Sequence, residues 1–277
     1  MGDRRPLALT AVLYVGIALL YLPMLVLIAY SFNKSALVTV WGGFSPAWYV
    51  ALLHNGQVLD AARLSLEIGA TASTVAVMLG TLAAVAIVRF GRFRGRLFLI
   101  GMVNAPLVVP EIITGITQLL LFVSMAQAIG WPAHRGFATI VLAHVTFCIA
   151  YVTITVMSRL RSADMTLEDA AMDLGAGPVR AFIDTTLPII APALISGWLL
   201  SFTLSLDDLV ISSFVSGPGS STLPMVIYSK VKLGVSPDMN ALASLIIIFV
   251  GVGVATSSYI MRRAERRRML EMQMSGR

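Results

Sequence analysis

Six long apolar stretches constrain the fold of this chain more than any other feature. They cover residues 7–32, 64–88, 97–129, 137–157, 188–214 and 241–261. A membrane-spanning helix needs about 20 consecutive, mostly apolar residues, and each stretch meets that requirement. We therefore predict an all-α membrane protein with six transmembrane helices.

Composition agrees with this prediction. Of the 277 residues, 57% are hydrophobic and 12% are charged, whereas a soluble domain carries about 25% charged residues. The basic residues lie at the ends of the apolar stretches, so the net charge of +6 indicates topology and not a nucleic-acid partner. The first stretch could be a signal peptide that starts at Arg4 and Arg5. Its length and the lack of a small-residue cleavage site favour a retained spanning helix.

The distribution of lysine and arginine predicts the orientation. The segments before the first helix, between helices 2 and 3, between helices 4 and 5, and after helix 6 hold 15 basic residues, and the opposite segments hold 5. Because basic residues concentrate on the cytoplasmic side, we expect both termini to be cytoplasmic and residues 33–63, 130–136 and 216–240 to lie outside.

Small residues recur every four positions in the second stretch, at Ala72, Ala76, Gly80 and Ala84. They would form one stripe along a helix, and such a stripe lets another helix approach closely. Lipid-facing alanine is the alternative interpretation.

The longest predicted cytoplasmic loop, residues 158–187, has helical signals of its own. Thr166 is expected to cap a short amphipathic helix, with Asp169 in the capping-box position. Gly175 is expected to end this helix, and a second helical piece would lead to Pro188, which would open the fifth spanning helix. The loop either connects two spans or docks a partner.

This loop resembles the docking motif of ABC-transporter permease subunits. In that family Glu-Ala-Ala is followed after three residues by Gly, and further on by an aliphatic position, one residue and Leu-Pro. Here Asp169 replaces the glutamate and Thr185 the aliphatic residue. The resemblance implies that a coupling helix seats in a cleft on an ATPase subunit, through these residues: Glu168, Asp169, Ala170, Ala171, Gly175, Leu187 and Pro188.

The resemblance covers essentially the whole chain. Segments such as VRFGRFRGR, APLVVPEIITG, LAHVTFCIAYV and SLDDLVISSFVSGPGSSTLPM are similar to the polyamine branch of the family, above all to putrescine permeases. This implies a type I importer (MetI-like) permease fold in a bacterial inner membrane. It also implies a second homologous permease, a dimer of ATPase subunits, a periplasmic polyamine-binding protein and a polyamine substrate.

Three regions follow from the topology and the resemblance together. Residues 1–62 would form the first transmembrane helix and a periplasmic loop, and residues 63–262 the core permease domain with the cytoplasmic coupling loop 158–187. Residues 263–277 would form a basic cytoplasmic tail.

No catalytic or metal-binding motif is present in the sequence. The three lysines, Lys34, Lys230 and Lys232, do not fit the phosphate-binding pattern GxxxxGK[ST]. We therefore expect a non-enzymatic subunit without a cofactor or metal of its own, whose partner uses ATP and Mg. The histidines lack ligand spacing, and His144 is interpreted as a core or pore-lining residue.

Four carboxylates lie within the apolar stretches: Glu67, Glu111, Asp207 and Asp208. Charged groups at membrane depth cost about 2.5–3.5 kcal/mol on insertion scales, which makes them candidates for a functional site. Asp207 lies roughly 28 Å beyond Pro188 along a helix, and all four acids are expected in the outer half. They would form an acidic vestibule for a cationic substrate.

Structural roles remain open for these residues. The aspartates could cap a helix end or pair with an arginine of a partner, and Glu111 follows Pro110, where a carboxylate complements the dipole of a restarted helix. Trp198 and Phe202 are candidate aromatic contacts for a diamine, with ordinary packing as the alternative.

Other functions also remain as alternatives. They are an ABC permease for spermidine or another small solute, such as an amino acid, a sugar or ferric ion, and an ion-coupled secondary transporter. A membrane enzyme is a further alternative without a catalytic motif to support it.

Overall fold

The computed structural model describes residues 7–37, 40–164, 166–234, 237–248 and 251–252. Their regular secondary structure is all helical, and one isolated bridge joins Asn33 and Phe44. The helices are α1 (Leu7–Ser31), α2 (Ala47–Leu53), α3 (Gly56–Arg89), α4 (Arg96–Val108), α5 (Glu111–Ile129), α6 (Phe137–Ser162), α7 (Thr166–Asp173), α8 (Pro178–Ala181), α9 (Leu187–Asp207), α10 (Val210–Val215), α11 (Leu223–Leu233) and α12 (Pro237–Ile248). A π-helical turn, Phe182–Thr186, joins α8 to α9.

Five helices of the described part are long and apolar enough to cross a membrane: Leu9–Ser31, Gly56–Arg89, Glu111–Ile129, Phe137–Ser162 and Pro178–Asp207. They correspond to the first five predicted stretches. The sixth prediction, residues 241–261, coincides with α12 only up to Ile248, and most of its remainder lies outside the described residues.

Three details of the predicted spans are wrong. The third stretch breaks at Val109 and Pro110 into α4 and α5, because proline lacks an N–H and forces the preceding residue out of the helical conformation. The fifth span begins at Pro178, ten residues before Pro188. It also ends early: α9 stops at Asp207, and Asp208 has an extended backbone before α10 begins.

The π-helical turn explains how the fifth span continues through Pro188. In this turn the Leu187 N–H donates to the Phe182 carbonyl, five residues back. Pro188 then lies in the first turn of α9, where a missing N–H is tolerated. Pro188 therefore marks the start of the regular helix α9 and does not interrupt the helical path.

The chain divides into two compact units, residues 1–56 with 229–277, and residues 57–228. The second unit contains two apolar clusters that share α6. One joins α6 to α3, α5 and α10 through residues such as Ile68, Phe122, Ile140 and Ile211. The other joins α6 to α3 and α9 through residues such as Ala76, Val152 and Ile190. Helix α6 therefore lies at the centre of this unit.

The small-residue stripe of α3 packs inside this unit, as predicted. Ala72, Ala76 and Ala84 are fully buried. At Gly80 an added Cβ would lie 2.8 Å from Val152 Cγ1 and 3.2 Å from the Thr153 amide nitrogen. The stripe is a close helix–helix contact with α6 and not a lipid-facing surface.

Gly80→Ala is therefore expected to destabilise the protein. The added methyl group must displace Val152 and the α6 backbone, and overpacking of this kind costs about 1–3 kcal/mol. Thermal unfolding of the detergent-purified protein should show a lowered Tm. Gly101→Ala in α4 is the matched control, since its Cβ would meet nothing within 4 Å. An equal loss in both variants would contradict the close contact.

Candidate functional site

Two helix breaks and α6 enclose a cavity of about 250 Å³. One break separates α4 from α5, and the other separates α9 from α10. Three groups of residues line the cavity: Pro106, Val109, Glu111 and Thr114; Phe147 and Tyr151; and Leu204 and Asp207 to Ile211. The cavity thus combines two helix ends, three carboxylates and two aromatic rings, and we call it the acidic pocket.

Asp208 caps the helix that restarts after the second break. Its Oδ2 accepts a hydrogen bond from the Ser212 N–H at 2.7 Å, and its Oδ1 accepts one from the Ile211 N–H at 3.2 Å. A carboxylate at this position satisfies backbone donors at the helix start and complements the helix dipole. Asp208 therefore has the structural role that was one of the two alternatives.

His144 of α6 completes a buried polar cluster around Asp208. Its Nε2 lies 3.2 Å from Asp208 Oδ2 and 3.0 Å from Ser212 Oγ, and its Nδ1 lies 2.6 Å from Ser205 Oγ. The ring is fully buried. Because both ring nitrogens have partners, His144 is a satisfied core residue that joins α6 to both sides of the break in the fifth span.

Asp207 and Glu111 lie at the acidic pocket with exposed side chains, in contrast to buried Asp208. Asp207 is the last residue of α9, and Glu111 is the first residue of α5. The structure thus separates the two adjacent aspartates: Asp208 accepts hydrogen bonds from the helix start, while Asp207 is exposed at the acidic pocket.

Two aromatic residues of the pocket, Phe147 and Tyr151, were not among the predicted site residues. They are spaced i,i+4 on α6, and such residues share one face of a helix. The pattern His144, Phe147, Tyr151 was a weak signal in the sequence, because it equally fits a buried face of a core helix.

The remaining predicted site residues lie elsewhere. Glu67 forms an exposed i,i+4 ion pair with Arg63, with 2.8 Å between Arg63 Nε and Glu67 Oε1. Trp198 and Phe202 stack on each other, with ring centroids 5.0 Å apart. Trp198 Nε1 donates to Thr74 Oγ1 at 3.1 Å, so this aromatic pair packs against α3, and neither ring lines the acidic pocket.

The second predicted site, the loop with α7, is anchored by Glu168. This carboxylate accepts hydrogen bonds from Arg89 at the end of α3 and from Thr186 in the π-helical turn. Arg89 Nη2 also donates to Thr186 Oγ1 at 2.9 Å. The side chains of Arg89 and Glu168 are only 12% and 11% exposed, so we call this cluster the buried anchor of α7.

Electrostatics favour the ionised form of Glu168. Burial by itself would raise the pKa of its carboxyl. The hydrogen bonds from Arg89 and Thr186 and the charge of Arg89 outweigh burial and hold the pKa below its ordinary value. The anchor is therefore an ion pair at neutral pH.

The rest of the loop presents an exposed surface. Asp169 and Ala170 are exposed, Ala171 is half-buried and Leu174 is 90% exposed. Gly175 ends α7 with φ +92°, a conformation that residues with a side chain rarely adopt. Gly175 lies two residues after Asp173, the last residue of α7. The prediction that this glycine ends the helix is therefore confirmed.

The predicted cap at Thr166 is wrong. Thr166 is the first residue of α7, and both its N–H and its hydroxyl donate to Asp164 Oδ1, at 3.0 and 2.8 Å. Leu187 is half-buried in the first turn of α9 and Pro188 is exposed beside it.

Within the described residues no three histidine, cysteine or acidic side chains are grouped as a metal site would require.

Sequence comparisons identify relatives over almost the full length. Residues 76–270 match the family of binding-protein-dependent transport system inner membrane components. The putrescine transport system permease protein PotI of Escherichia coli K12 is 57% identical over 96% of this chain and 95% of its own. The spermidine/putrescine transport system permease protein PotC of the same organism is 42% identical over 88% of this chain and 90% of its own.

Solved structures share the fold. A chain of a bacterial ABC transporter involved in the import of the acidic polysaccharide alginate aligns with a TM-score of 0.70 and 16% identity over 95% of this chain and 98% of that one. The MetNI methionine ABC transporter in an inward-facing conformation aligns with a TM-score of 0.58 and 15% identity over 80% and 99%. These likenesses confirm the all-α ABC-importer permease fold.

Glu168→Gln should loosen α7. Removing one partner of a buried ion pair costs about 3 kcal/mol or more, so the amides of α7 should exchange with deuterium roughly a hundredfold faster. Asp169→Asn is the matched control, because that carboxyl is exposed. Equal exchange in the two variants would contradict the anchor.

The same experiment has a pH dependence. Glu168 has a lowered pKa in the folded protein, so its stabilising effect is fully present above its ordinary pKa of 4.5. This effect is lost as the pH falls through the lowered value. The difference in exchange between the unaltered chain and Glu168→Gln, measured at the same pH, should therefore shrink in acid.

Proposed function

The chain belongs to the family of binding-protein-dependent transport system inner membrane components, and from that membership we propose that it is a permease subunit of an ATP-driven polyamine importer, with putrescine as its principal substrate. It forms half of the translocation pore. The observation that carries this proposal is the acidic pocket, together with the close similarity to a putrescine permease.

The acidic pocket suits a diamine for chemical reasons. Putrescine carries two ammonium groups on an apolar chain. Carboxylates bind ammonium groups through charge-assisted hydrogen bonds, and aromatic faces attract them through the ring quadrupole. Asp207 and Glu111 supply the charges, and Phe147 and Tyr151 supply the rings. Asp208 holds the break open by capping α10.

We assign different roles to the other predicted pathway residues. Glu67 is exposed and paired with Arg63, which supports a place along the route to the pocket and not within it. Trp198 and Phe202 pack against α3, so their role in the pathway is to shape the wall of the bundle.

The topology belongs to the proposal as well. Six spanning helices with both termini in the cytoplasm place the loop 158–187 on the cytoplasmic side, since 15 of the 20 basic residues then lie inside. Residues 1–62 form the first span and its periplasmic loop, residues 63–262 the core, and residues 263–277 the tail.

The exposed surface around α7 is the proposed contact with an ATPase subunit. Glu168 holds α7 against the spanning helices, while Asp169, Ala170 and Ala171 face outward or lie at the edge. A pair of ATPase subunits would use ATP and Mg. A second homologous permease would complete the pore, and a periplasmic binding protein would deliver the polyamine.

Transport would proceed by alternating access. ATP binding closes the ATPase pair and moves α7, and the buried anchor passes this movement to α3 and to the π-helical turn that leads into α9. The far end of α9 carries Asp207 at the acidic pocket. Movement at the loop can therefore open the pocket to the outside, and hydrolysis resets it.

Putrescine uptake by the reconstituted transporter should require ATP and should persist without an ion gradient.

Asp207→Asn should weaken transport about five- to thirtyfold, since loss of one carboxylate–ammonium interaction is worth about 1–2 kcal/mol. The assembled complex should keep its yield. Labelled-putrescine uptake, competed by unlabelled putrescine and spermidine, measures the loss and the preference.

Asp208→Ala is the contrasting variant. It removes a helix cap worth about 0.5–2 kcal/mol and leaves the Ile211 and Ser212 amides without their side-chain acceptor, so the yield and Tm of the complex should fall. Uptake that survives ATP depletion but follows a proton gradient would indicate a secondary transporter. Unchanged uptake in Asp207→Asn would remove this carboxylate from the pathway.

Gly175→Ala should uncouple ATP hydrolysis from uptake. Gly175 has a positive φ, which strains any residue that carries a Cβ. A Cβ added at this position would meet nothing within 4 Å. The alanine variant should therefore change the shape of the turn without causing a clash. The matched control is Gly177→Ala, where φ is −67° and the space is also open. ATPase activity and uptake are measured side by side, and coupled uptake in Gly175→Ala would argue against this role of the loop.

A further inference from the structure

The segment after α1 folds back on the end of that helix and exposes apolar rings, and we propose that it anchors the chain at the membrane interface, with the lipid surface as its partner. We call residues 31–37 and 40–53 the Asn33 loop; Val38 and Thr39 lie outside the described residues and are not part of this definition. The loop belongs to the first compact unit. The proposed topology decides only which leaflet it contacts.

Asn33 satisfies the backbone of this loop without help from water. Its Nδ2 donates to the carbonyls of Val40 at 2.8 Å and Leu37 at 3.4 Å. Its Oδ1 accepts from the amides of Gly42 at 2.8 Å and Ser35 at 3.1 Å. The side chain is fully buried. An irregular backbone near hydrocarbon is tolerated only when its polar groups have internal partners, and Asn33 supplies four of them.

Two side chains of α2 tie this short helix to the end of α1. Trp48 Nε1 donates to the Asn33 carbonyl at 2.8 Å. The Tyr49 hydroxyl lies 2.6 Å from Ser31 Oγ, in the last turn of α1. The polar atoms of both aromatic residues are thereby paired inside the loop, which leaves mainly apolar groups on its outside.

The exposed rings lie beside the end of the apolar span. Trp41 contacts Tyr30 edge to face, with ring centroids 5.9 Å apart. Phe44 stacks on Phe32 at 4.9 Å. Trp41 is nevertheless 52% exposed and Phe44 71%. Aromatic residues at the end of an apolar span are typical of the boundary between the hydrocarbon and the headgroups of a membrane.

The surface of α1 continues into these rings. None of residues 9–30 of α1 is buried, and Trp41 and Phe44 extend this exposed apolar surface past the helix end. Continuity with an apolar span that nothing else in the described part of the chain covers favours lipid over a soluble partner, because a water-facing patch of this kind would be costly.

Charge in this region also favours a lipid surface. The sequence has no aspartate or glutamate between Asp3 and Asp60, and exposed Lys34 follows the span directly. A lysine at the headgroup level contributes about 1 kcal/mol of attraction to an anionic membrane. Without a nearby carboxylate, nothing in the loop opposes that attraction.

Tryptophan fluorescence tests the proposal. The chain has four tryptophans, and variants of the full chain keep either Trp41 or Trp48 and carry Phe at the other three. Each is purified with the subunits that accompany it and reconstituted in phosphatidylethanolamine–phosphatidylglycerol vesicles with phospholipids brominated near the headgroup or deep in the acyl chain. Trp41 should lose most of its emission to the shallow bromines and little to aqueous iodide.

Trp48 is the matched control, since it is half-buried and hydrogen-bonded within the same loop. It should be protected from both quenchers. Trp41 quenched by iodide and not by lipid would place the ring in water, and Trp41 protected from both would place it against protein; either result overturns the proposal. Neither quenching measurement depends on transport. The interface proposal can therefore fail or hold independently of the proposed function.

A second variant tests the role of Asn33. In the Trp41-only chain, Asn33→Ala should raise quenching by iodide and lower quenching by lipid, because the loop backbone loses its internal partners. Asn33→Asp keeps the acceptor for Ser35 and Gly42 and should fall between. Unchanged quenching in Asn33→Ala would show that Asn33 does not hold the loop. If Asn33→Ala does not reconstitute, the Trp41 measurement on the chain that keeps Asn33 decides.

Discussion

The need to satisfy backbone polar groups without water governs this structure, because each place where a helix stops inside an apolar chain needs its own solution. At the break after α9, the Asp208 carboxylate accepts the amides at the start of α10 and is itself held by His144. At the break before α5, Pro110 has no amide to satisfy. After α1, the side chain of Asn33 serves the loop backbone. The acidic pocket lies where the first two solutions meet.

The positions of five spans and of the loop helix could be predicted from the sequence, because their signals are local. Apolar length reports a span directly, and a glycine after a short amphipathic run reports a helix end, as at Gly175. The helical path of the fifth span reaches back to Pro178, ten residues before its predicted start, although Pro188 does lie in the first turn of α9. The π-helical turn before it lets the helix pass through the proline, and no sequence rule that we applied anticipates that turn.

The parts that could not be predicted depend on distant residues. Arg89 and Glu168 are 79 positions apart, and nothing in either neighbourhood marks them as partners. The exposed acid of the adjacent pair could not be told from the buried one, because that depends on His144, 64 residues away from Asp208. Phe147 and Tyr151 fit an ordinary core helix equally well. Residue types alone indicated an acidic site, and the tertiary contacts decide which acid is exposed there and which is buried.

The unbroken helical path from Pro178 to Asp207 gives the protein a mechanical property. Its 30 residues form a rod about 45 Å long, gripped through Thr186 near one end and carrying Asp207 at the other. If such a rod pivots about its middle by about 10°, each tip sweeps roughly 4 Å. A displacement of that size would be enough to widen or close a passage for a slender linear cation. Under the proposed mechanism the rod would therefore act as a lever that converts a small tilt into opening or closing of that passage.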